Sequence, residues 1–198
     1  NFEYEASRSA ADRFINLHPR HPHAAYAYYI KGLSSFTDDS GLFNRFFVSD
    51  LSKRDMGPAQ NSFDDLSEFL SRYPESKYAP HAKQRMIFLR NLLARHEMHV
   101  ADFYMKRGAY LAAISRAKYV IEHIPNTPQT PYALSVLIEA YGILDYPELK
   151  KSNLEVLRSN FPEFSIQEDS ATGKRSWVNV ISFGMFGDKD IPAPSNTE

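Results

Sequence analysis

The stretch "FYMKRGAYLAAI" at residues 103–114 decides the fold, because it combines the end of one helix, a turn and the start of a second helix. Gly108 stands at the turn, where glycine commonly ends a helix in the left-handed conformation. Ala113 follows in the second helix, and a small residue there allows two helices to approach closely. The stretch therefore predicts a pair of antiparallel helices joined by a short turn.

Prolines repeat this pattern along the chain. Pro162 follows Pro125 by 37 residues, close to the tetratricopeptide period of about 34. Tyr104 and Tyr141 each precede one of these prolines by 21 residues, which is where that repeat carries an aromatic side chain. Similar helix–proline–helix junctions occur at 14–24, 69–82, 120–133 and 156–164. We predict an all-α, tetratricopeptide-like helical-repeat solenoid of about seven or eight helices over residues 1–164.

Apolar side chains follow helical periodicity, which indicates buried helix faces. No Gly or Pro lies between Pro80 and Gly108, so this segment is either one long helix or two helices with a bend near Arg95–Glu97. The apolar stripes comprise Phe63, Leu66, Phe69, Leu70 and Tyr73; Met86, Leu89, Leu92 and Leu93; and Tyr110, Ala113, Ile114, Ala117, Val120, Ile121 and Ile124.

Two segments depart from the repeat pattern. An insertion at about 37–57 is rich in aromatic residues, and we expect it to pack on the repeat array or to serve as a partner-binding loop. The C-terminal tail at 165–198 is polar, so we predict that it is largely disordered. Its apolar segment at 177–187 would be buried on the array, on a partner or on a membrane surface.

Composition excludes several functional classes. The 198-residue chain has a net charge of −1, which argues against a general nucleic-acid binder. It has no cysteine, so disulfides, cysteine-based zinc sites and cysteine nucleophiles are excluded. No apolar run approaches the roughly 20 residues of a membrane helix. The chain opens on Asn1, and we expect that its N-terminus is a cut, with a membrane anchor upstream.

Histidines are the first candidates for metal chemistry. His18, His21 and His23 cluster within one turn, but two prolines separate them and no carboxylate is near, so a surface turn is favoured. His96 and His99 are three residues apart, whereas the zinc-protease motif requires a spacing of four.

Paired carboxylates are the other candidates for chemistry. Asp38–Asp39 and Asp64–Asp65 are better explained as helix caps and solvated charges, the second pair lying near a helix start. The sequence also lacks a phosphate-binding glycine loop and a GxSxG motif. We predict that the chain is not an enzyme and has no catalytic, cofactor-binding or metal-binding residue.

Charge is unevenly distributed. Residues 81–107 contain six Lys or Arg against two acidic residues, and Arg116 and Lys118 follow on the next helix. This region is either a solvated basic face or a docking surface for an acidic partner, which arginine binds through two parallel hydrogen bonds. Phe103 and Tyr104 adjoin it and could anchor an interface.

Several strings resemble the BamD family. They are "DRFINLHPRHP" at 12–22, "YIKGL" at 29–33, "DDS" at 38–40, "FFVSDLSKRD" at 46–55, "YPESKYAPHAKQRMIFLRNLLA" at 73–94 and "VADFYMKRGAY" at 100–110. The string at 46–55 is the most specific, because generic tetratricopeptide proteins lack it. By this resemblance, the lipidated cysteine and the first one and a half repeats of that family are missing from this chain.

The resemblance implies a scaffold of the outer-membrane β-barrel assembly machinery. Such proteins are lipid-anchored to the outer membrane of Gram-negative bacteria and face the periplasm. Their C-terminal repeats bind a POTRA domain of BamA, smaller lipoproteins dock on them, and their N-terminal repeats recognise unfolded outer-membrane proteins. By the same resemblance the BamA-contacting arginine falls on Arg116, and Phe103, Tyr104 and Arg107 match neighbouring contact positions.

Two rival functions remain open at this point. A generic peptide-binding tetratricopeptide module in the cell envelope would hold an extended peptide without BamA. A metal-dependent hydrolase using the cluster of His18, His21 and His23 is the third possibility.

Overall fold

A computed structural model describes residues 2–36, 52 and 55–164. Most of the predicted insertion at 37–57 and the whole tail at 165–198, including the apolar segment at 177–187, lie outside the described residues.

Seven helices and no strand occur in the described ranges, which confirms the all-α prediction. None of these helices combines the length and the apolar character needed to span a bilayer. They are α1 (Phe2–Leu17), α2 (Ala24–Ser35), α3 (Gly57–Arg72), α4 (Ala79–Lys106), α5 (Tyr110–His123), α6 (Thr130–Ile143) and α7 (Pro147–Asn160).

Prolines and one glycine set helix boundaries. Pro131 and Pro147 stand in the first turns of α6 and α7, where the missing N–H of proline costs nothing. Pro22 instead lies in the turn two residues before α2. Gly108 has a φ of 73°, and the Ala109 N–H donates to the Tyr104 carbonyl at 2.9 Å. This left-handed turn ends α4 as predicted.

The segment after Pro80 was predicted to form either one long helix or two, and the structure shows one, α4. It is one uninterrupted helix of 28 residues. The described residues nevertheless fall into two compact units, the first ending at Leu93 and the second beginning at Ala94, so α4 contributes residues to both.

The first unit packs α1 on α2 and α2 on α3. Its core is aromatic: Phe69 is fully buried, Tyr28 and Tyr29 are nearly so, and Leu66 fills the space beside them. Gly32 permits the close approach of α2 to α3, because a Cβ at this position would lie 2.5 Å from Leu66 Cδ2. The predicted stripes at 63–73 and 86–93 belong to this core.

The prediction that the Asp64–Asp65 pair is a solvated cap was wrong for Asp65. It lies within α3 and is buried. Its Oδ2 accepts hydrogen bonds from Arg8 Nη2 at 3.1 Å and from Ser35 Oγ at 2.7 Å, and its Oδ1 lies 3.3 Å from Lys31 Nζ. Because a buried carboxylate is tolerated only when it is paired, this network joins α1, α2 and α3.

The second unit packs α5 on α6 and α6 on α7. Aliphatic side chains and alanines fill its interior, and the predicted stripe on α5 is buried at Ala113, Ala117 and Val120. Leu157 is the buried contact of α7, where it meets Leu134 and Ile138 of α6.

Candidate partner-docking surface

Three of the four predicted contact residues lie together at the C-terminal end of α4, with Phe103 and Tyr104 in its last turn and Arg107 directly after it. The Phe103 side chain is 50% exposed, and its ring meets the Tyr104 ring edge-on at 5.7 Å between centroids. The Arg107 guanidinium lies over Phe103, 4.6 Å from the ring centroid. Residues four apart on a helix are neighbours, so the local sequence produces this cation–aromatic stack.

Arg116 lies on α5 and is held by an ion pair. Its Nη1 donates to Glu97 Oε2 of α4 at 3.2 Å. The Arg116 side chain is 45% exposed, whereas that of Glu97 is only 14% exposed. This contact could not be predicted from the sequence, because no local pattern connects the two positions.

The four residues do not form one contacting cluster. No hydrogen bond, ion pair or ring contact joins Arg116 to Phe103, Tyr104 or Arg107 within the part of the chain that the structure describes. Glu97 and Tyr104 are seven residues apart on α4, which places them on the same side of that helix about 10 Å apart. Arg116 therefore lies about two helical turns from Tyr104. We call Phe103, Tyr104, Arg107 and Arg116 the docking surface.

The basic residues of 81–107 are divided between the two units. Arg85 belongs to the first unit, where its Nη2 donates to the Phe36 carbonyl at 2.9 Å. Its guanidinium also lies over the Phe36 and Phe88 rings. Lys106 pairs with Asp102 at 2.7 Å. Arg107 and Arg116 are thus cations of the second unit that also lie at its surface.

One aromatic pair beside the docking surface was missed by the sequence analysis. The Tyr119 and His123 rings stack at 4.7 Å with an angle of 16°, and Tyr119 is 41% exposed. Arg116, Tyr119 and His123 are spaced i, i+3, i+7 on α5, so they share one side of the helix. This spacing could have predicted from the sequence that the three side chains are neighbours.

The candidate metal-binding histidines occupy an exposed turn. His21 Nδ1 accepts a hydrogen bond from the His23 backbone N–H at 3.1 Å, and Phe14 contacts the rings of His18 and His21. His96 and His99 are half-buried on α4. Within the described ranges, no three His, Cys, Asp or Glu side chains are arranged to hold a metal ion.

Paired helices carrying an exposed arginine and aromatic surface define a helical-repeat protein suited to binding other proteins. The family model YfiO, described as "Outer membrane lipoprotein", matches residues 1–157, and the chain belongs to this family.

Curated relatives agree with the family match. The outer membrane protein assembly factor BamD of Neisseria gonorrhoeae is 40% identical over 161 residues, which are 81% of this chain and 60% of that protein. The BamD protein of Xylella fastidiosa strain Temecula1 is 37% identical over 81% of the chain and 55% of its own length. That of Vibrio cholerae is 34% identical over 73% of the chain and 61% of its length. The chain thus spans about 60% of these relatives.

Proposed function

We propose that the chain is a non-catalytic scaffold in outer-membrane protein assembly and works at the periplasmic face of the outer membrane. The family description and the names of the relatives support this role. Paired helices hold side chains at fixed positions on a stiff surface, which suits a subunit that positions partners and performs no bond chemistry.

The partner that we propose for the docking surface is the periplasmic POTRA region of BamA. The observation that carries this assignment is the Arg107 guanidinium stacked on the half-exposed Phe103 ring. Exposed aromatic and arginine side chains are the residues that most often dominate binding energy at interfaces. Arg116 adds a charge-assisted contact for a carboxylate of the partner.

A second part of the proposal concerns unfolded outer-membrane proteins and rests on the first unit. The exposed Tyr26 ring lies 5.3 Å from Tyr78, which stacks on Tyr29 at 4.8 Å. Lys77 Nζ lies 5.1 Å from the centroid of Tyr78. Such a surface favours extended segments that carry aromatic side chains. A generic peptide-binding module of the cell envelope is the alternative that this same surface would serve.

Charge reversal at Arg116 tests the docking surface. Arg116→Glu should weaken binding to the BamA periplasmic region by more than about 1 kcal/mol, because it removes a charge-assisted contact. It also places two carboxylates together at Glu97, so Arg116→Gln is the cleaner variant and should weaken binding in the same direction. Isothermal titration of the chain with the BamA fragment measures both affinities.

Arg72→Gln provides the matched control, because Arg72 is an exposed arginine of the first unit that pairs with Glu68. It should leave the affinity for BamA unchanged. Equal affinities for wild type, Arg116→Gln and Phe103→Ala would exclude the docking surface. Binding of an unfolded aromatic peptide without any binding of the BamA fragment would instead favour the generic peptide-binding module.

A further inference from the structure

Glu97 is a mostly buried carboxylate whose described partner is a single exposed arginine. Its side chain is 14% exposed, and Oε2 accepts from Arg116 Nη1 at 3.2 Å. A carboxylate that is mostly removed from water requires a cation or hydrogen-bond donors to replace its lost hydration. Arg116 meets this requirement, so the ion pair favours a guanidinium held at Glu97 before any partner binds.

The ion pair leaves most of the Arg116 guanidinium available. A guanidinium carries five N–H donors in a rigid planar fork. Among the described residues, the acceptor for this fork is Glu97, bonded through Nη1 alone, while the side chain is 45% exposed. A second carboxylate can therefore bind another edge of the same guanidinium without breaking the pair with Glu97.

We infer that Glu97 is a positioning residue for partner docking, which holds the Arg116 guanidinium in the orientation that an acidic partner binds. The inference rests on the proposed function and adds a residue to it. An unrestrained arginine loses rotamer freedom when it is immobilised in an interface. Because Glu97 restrains Arg116 before the partner arrives, docking loses less of this freedom.

A competing effect has the opposite sign. The negative charge of Glu97 offsets the positive charge of Arg116 and would weaken the attraction for an acidic partner. Positioning outweighs competition here because the pair does not have to open for the partner to bind. If positioning dominates, removal of Glu97 weakens docking. If charge competition dominated, removal of Glu97 would strengthen it.

Two substitutions at Glu97 separate these effects. Glu97→Ala removes the acceptor and should weaken binding to the BamA periplasmic region about fivefold, the size expected when one side chain must be immobilised on binding. Glu97→Gln keeps an acceptor oxygen at the same reach and should restore most of the affinity. Glu68→Ala removes the carboxylate of an exposed pair with Arg72 and is the matched control that leaves affinity unchanged. If Glu97→Ala does not fold, Glu97→Met replaces it, because methionine fills a similar volume without an acceptor oxygen.

A double substitution distinguishes positioning from a merely structural role. If Glu97 acts through Arg116, Glu97→Ala has no further effect on affinity in an Arg116→Gln background. A structural role would lower affinity equally in both backgrounds and would overturn the inference. Unchanged or tighter binding by Glu97→Ala, in a protein whose Arg116→Gln variant binds more weakly, would also overturn it.

A measurement without the partner keeps the inference separate from the proposed function. Nitrogen-15 relaxation of the Arg116 Nε–H group should show an ordered side chain in the wild type and in Glu97→Gln. In Glu97→Ala the same group should become mobile on the nanosecond timescale or faster. If Arg116 stays ordered in Glu97→Ala, the positioning role is overturned. If it becomes mobile while Arg116→Gln leaves BamA binding unchanged, the assigned docking surface fails and the restraint of Arg116 by Glu97 stands.

Discussion

The two compact units use their charged side chains in opposite ways. In the first unit, Asp65 is buried and binds Arg8, Lys31 and Ser35, so charge holds three helices together. In the second unit, Arg116 is half-exposed and bonds to Glu97 through one edge. Similar ionic groups therefore contribute to stability in one unit and remain available for binding in the other.

The two units also differ in the residue types that fill their cores. The core of the first unit contains large rings such as Tyr28, Tyr29 and Phe69, whereas the core of the second consists mainly of aliphatic residues such as Ile138 and Leu157. In the second unit Tyr141 is buried, but Phe103 and Tyr119 lie at the surface. Substitutions in the first unit should thus change stability most, and substitutions on the docking surface should change binding most.

The largest expected effect follows removal of the buried carboxylate of the first unit. Asp65→Ala leaves Lys31, a side chain that is only 17% exposed, without one of its two carboxylates. The free energy of unfolding should fall by about 3 kcal/mol, since breaking a buried ion pair leaves a charge uncompensated. Urea denaturation followed by circular dichroism measures the change.

Glu68→Gln is the control for this prediction, because it removes a carboxylate from an exposed pair on the same helix. Its effect should stay below about 0.5 kcal/mol. If Asp65→Ala lowers stability no more than Glu68→Gln does, the buried charges do not stabilise the first unit in the way proposed.

A glycine comparison gives the next largest effect. A Cβ at Gly32 would lie 2.7 Å from Leu66 Cγ and 3.2 Å from the Leu66 backbone nitrogen, so α3 would have to shift. Gly32→Ala should lower the free energy of unfolding by about 2 kcal/mol through overpacking.

Gly142 in the second unit provides the matched substitution. Its added Cβ would meet only the flexible Lys150 side chain, at 3.4 Å. Gly142→Ala should therefore leave stability unchanged or raise it by about 0.5 kcal/mol, because alanine has the higher helix propensity. Thermal melts of the two variants test the pair together, and equal melting temperatures would contradict the close approach at Gly32.

Local patterns account for what the sequence could predict. The stripe on α5 and the turn at Gly108 depend on residues close in sequence, and both were identified correctly. The ionic contacts were not identified, because Arg8 and Asp65 are 57 residues apart and Glu97 and Arg116 are 19 apart. A charge in a sequence suggests solvent exposure, and only the packing of several helices shows which charges are buried.

The roles of the docking residues came from family resemblance and not from periodicity. Helical spacing can predict that Phe103 and Arg107 are neighbours, as the structure has them. It cannot predict the partner, because any carboxylate that Arg116 would bind in the proposed interface belongs to another chain. The identity of that partner therefore stays a proposal that binding measurements decide.

The smallest expected effect is a loss of stability of the first unit at alkaline pH. Burial, with a further contribution from Tyr26 and Tyr78, raises the pKa of Tyr29 above its ordinary value. Burial alone would lower the pKa of Lys31, but its hydrogen bond to Asp12 and the charge of Asp65 outweigh burial and raise that pKa.

Both shifts have the same sign for stability. A group whose pKa is higher in the folded chain contributes fully below its unfolded pKa, which is about 10 for these two side chains. The contribution is lost as the pH rises through the folded pKa, so urea midpoints should fall above about pH 10. Tyr29→Phe removes one titrating group and the hydrogen bond to His81, so it should lower stability at neutral pH yet make the alkaline decline shallower. The same substitution at Tyr119 of the second unit, which is 41% exposed, is the control and should keep the wild-type slope. Parallel slopes for wild type and Tyr29→Phe would show that the alkaline decline does not arise at Tyr29, and the contrast between the two units would then rest on Asp65 and Gly32 alone.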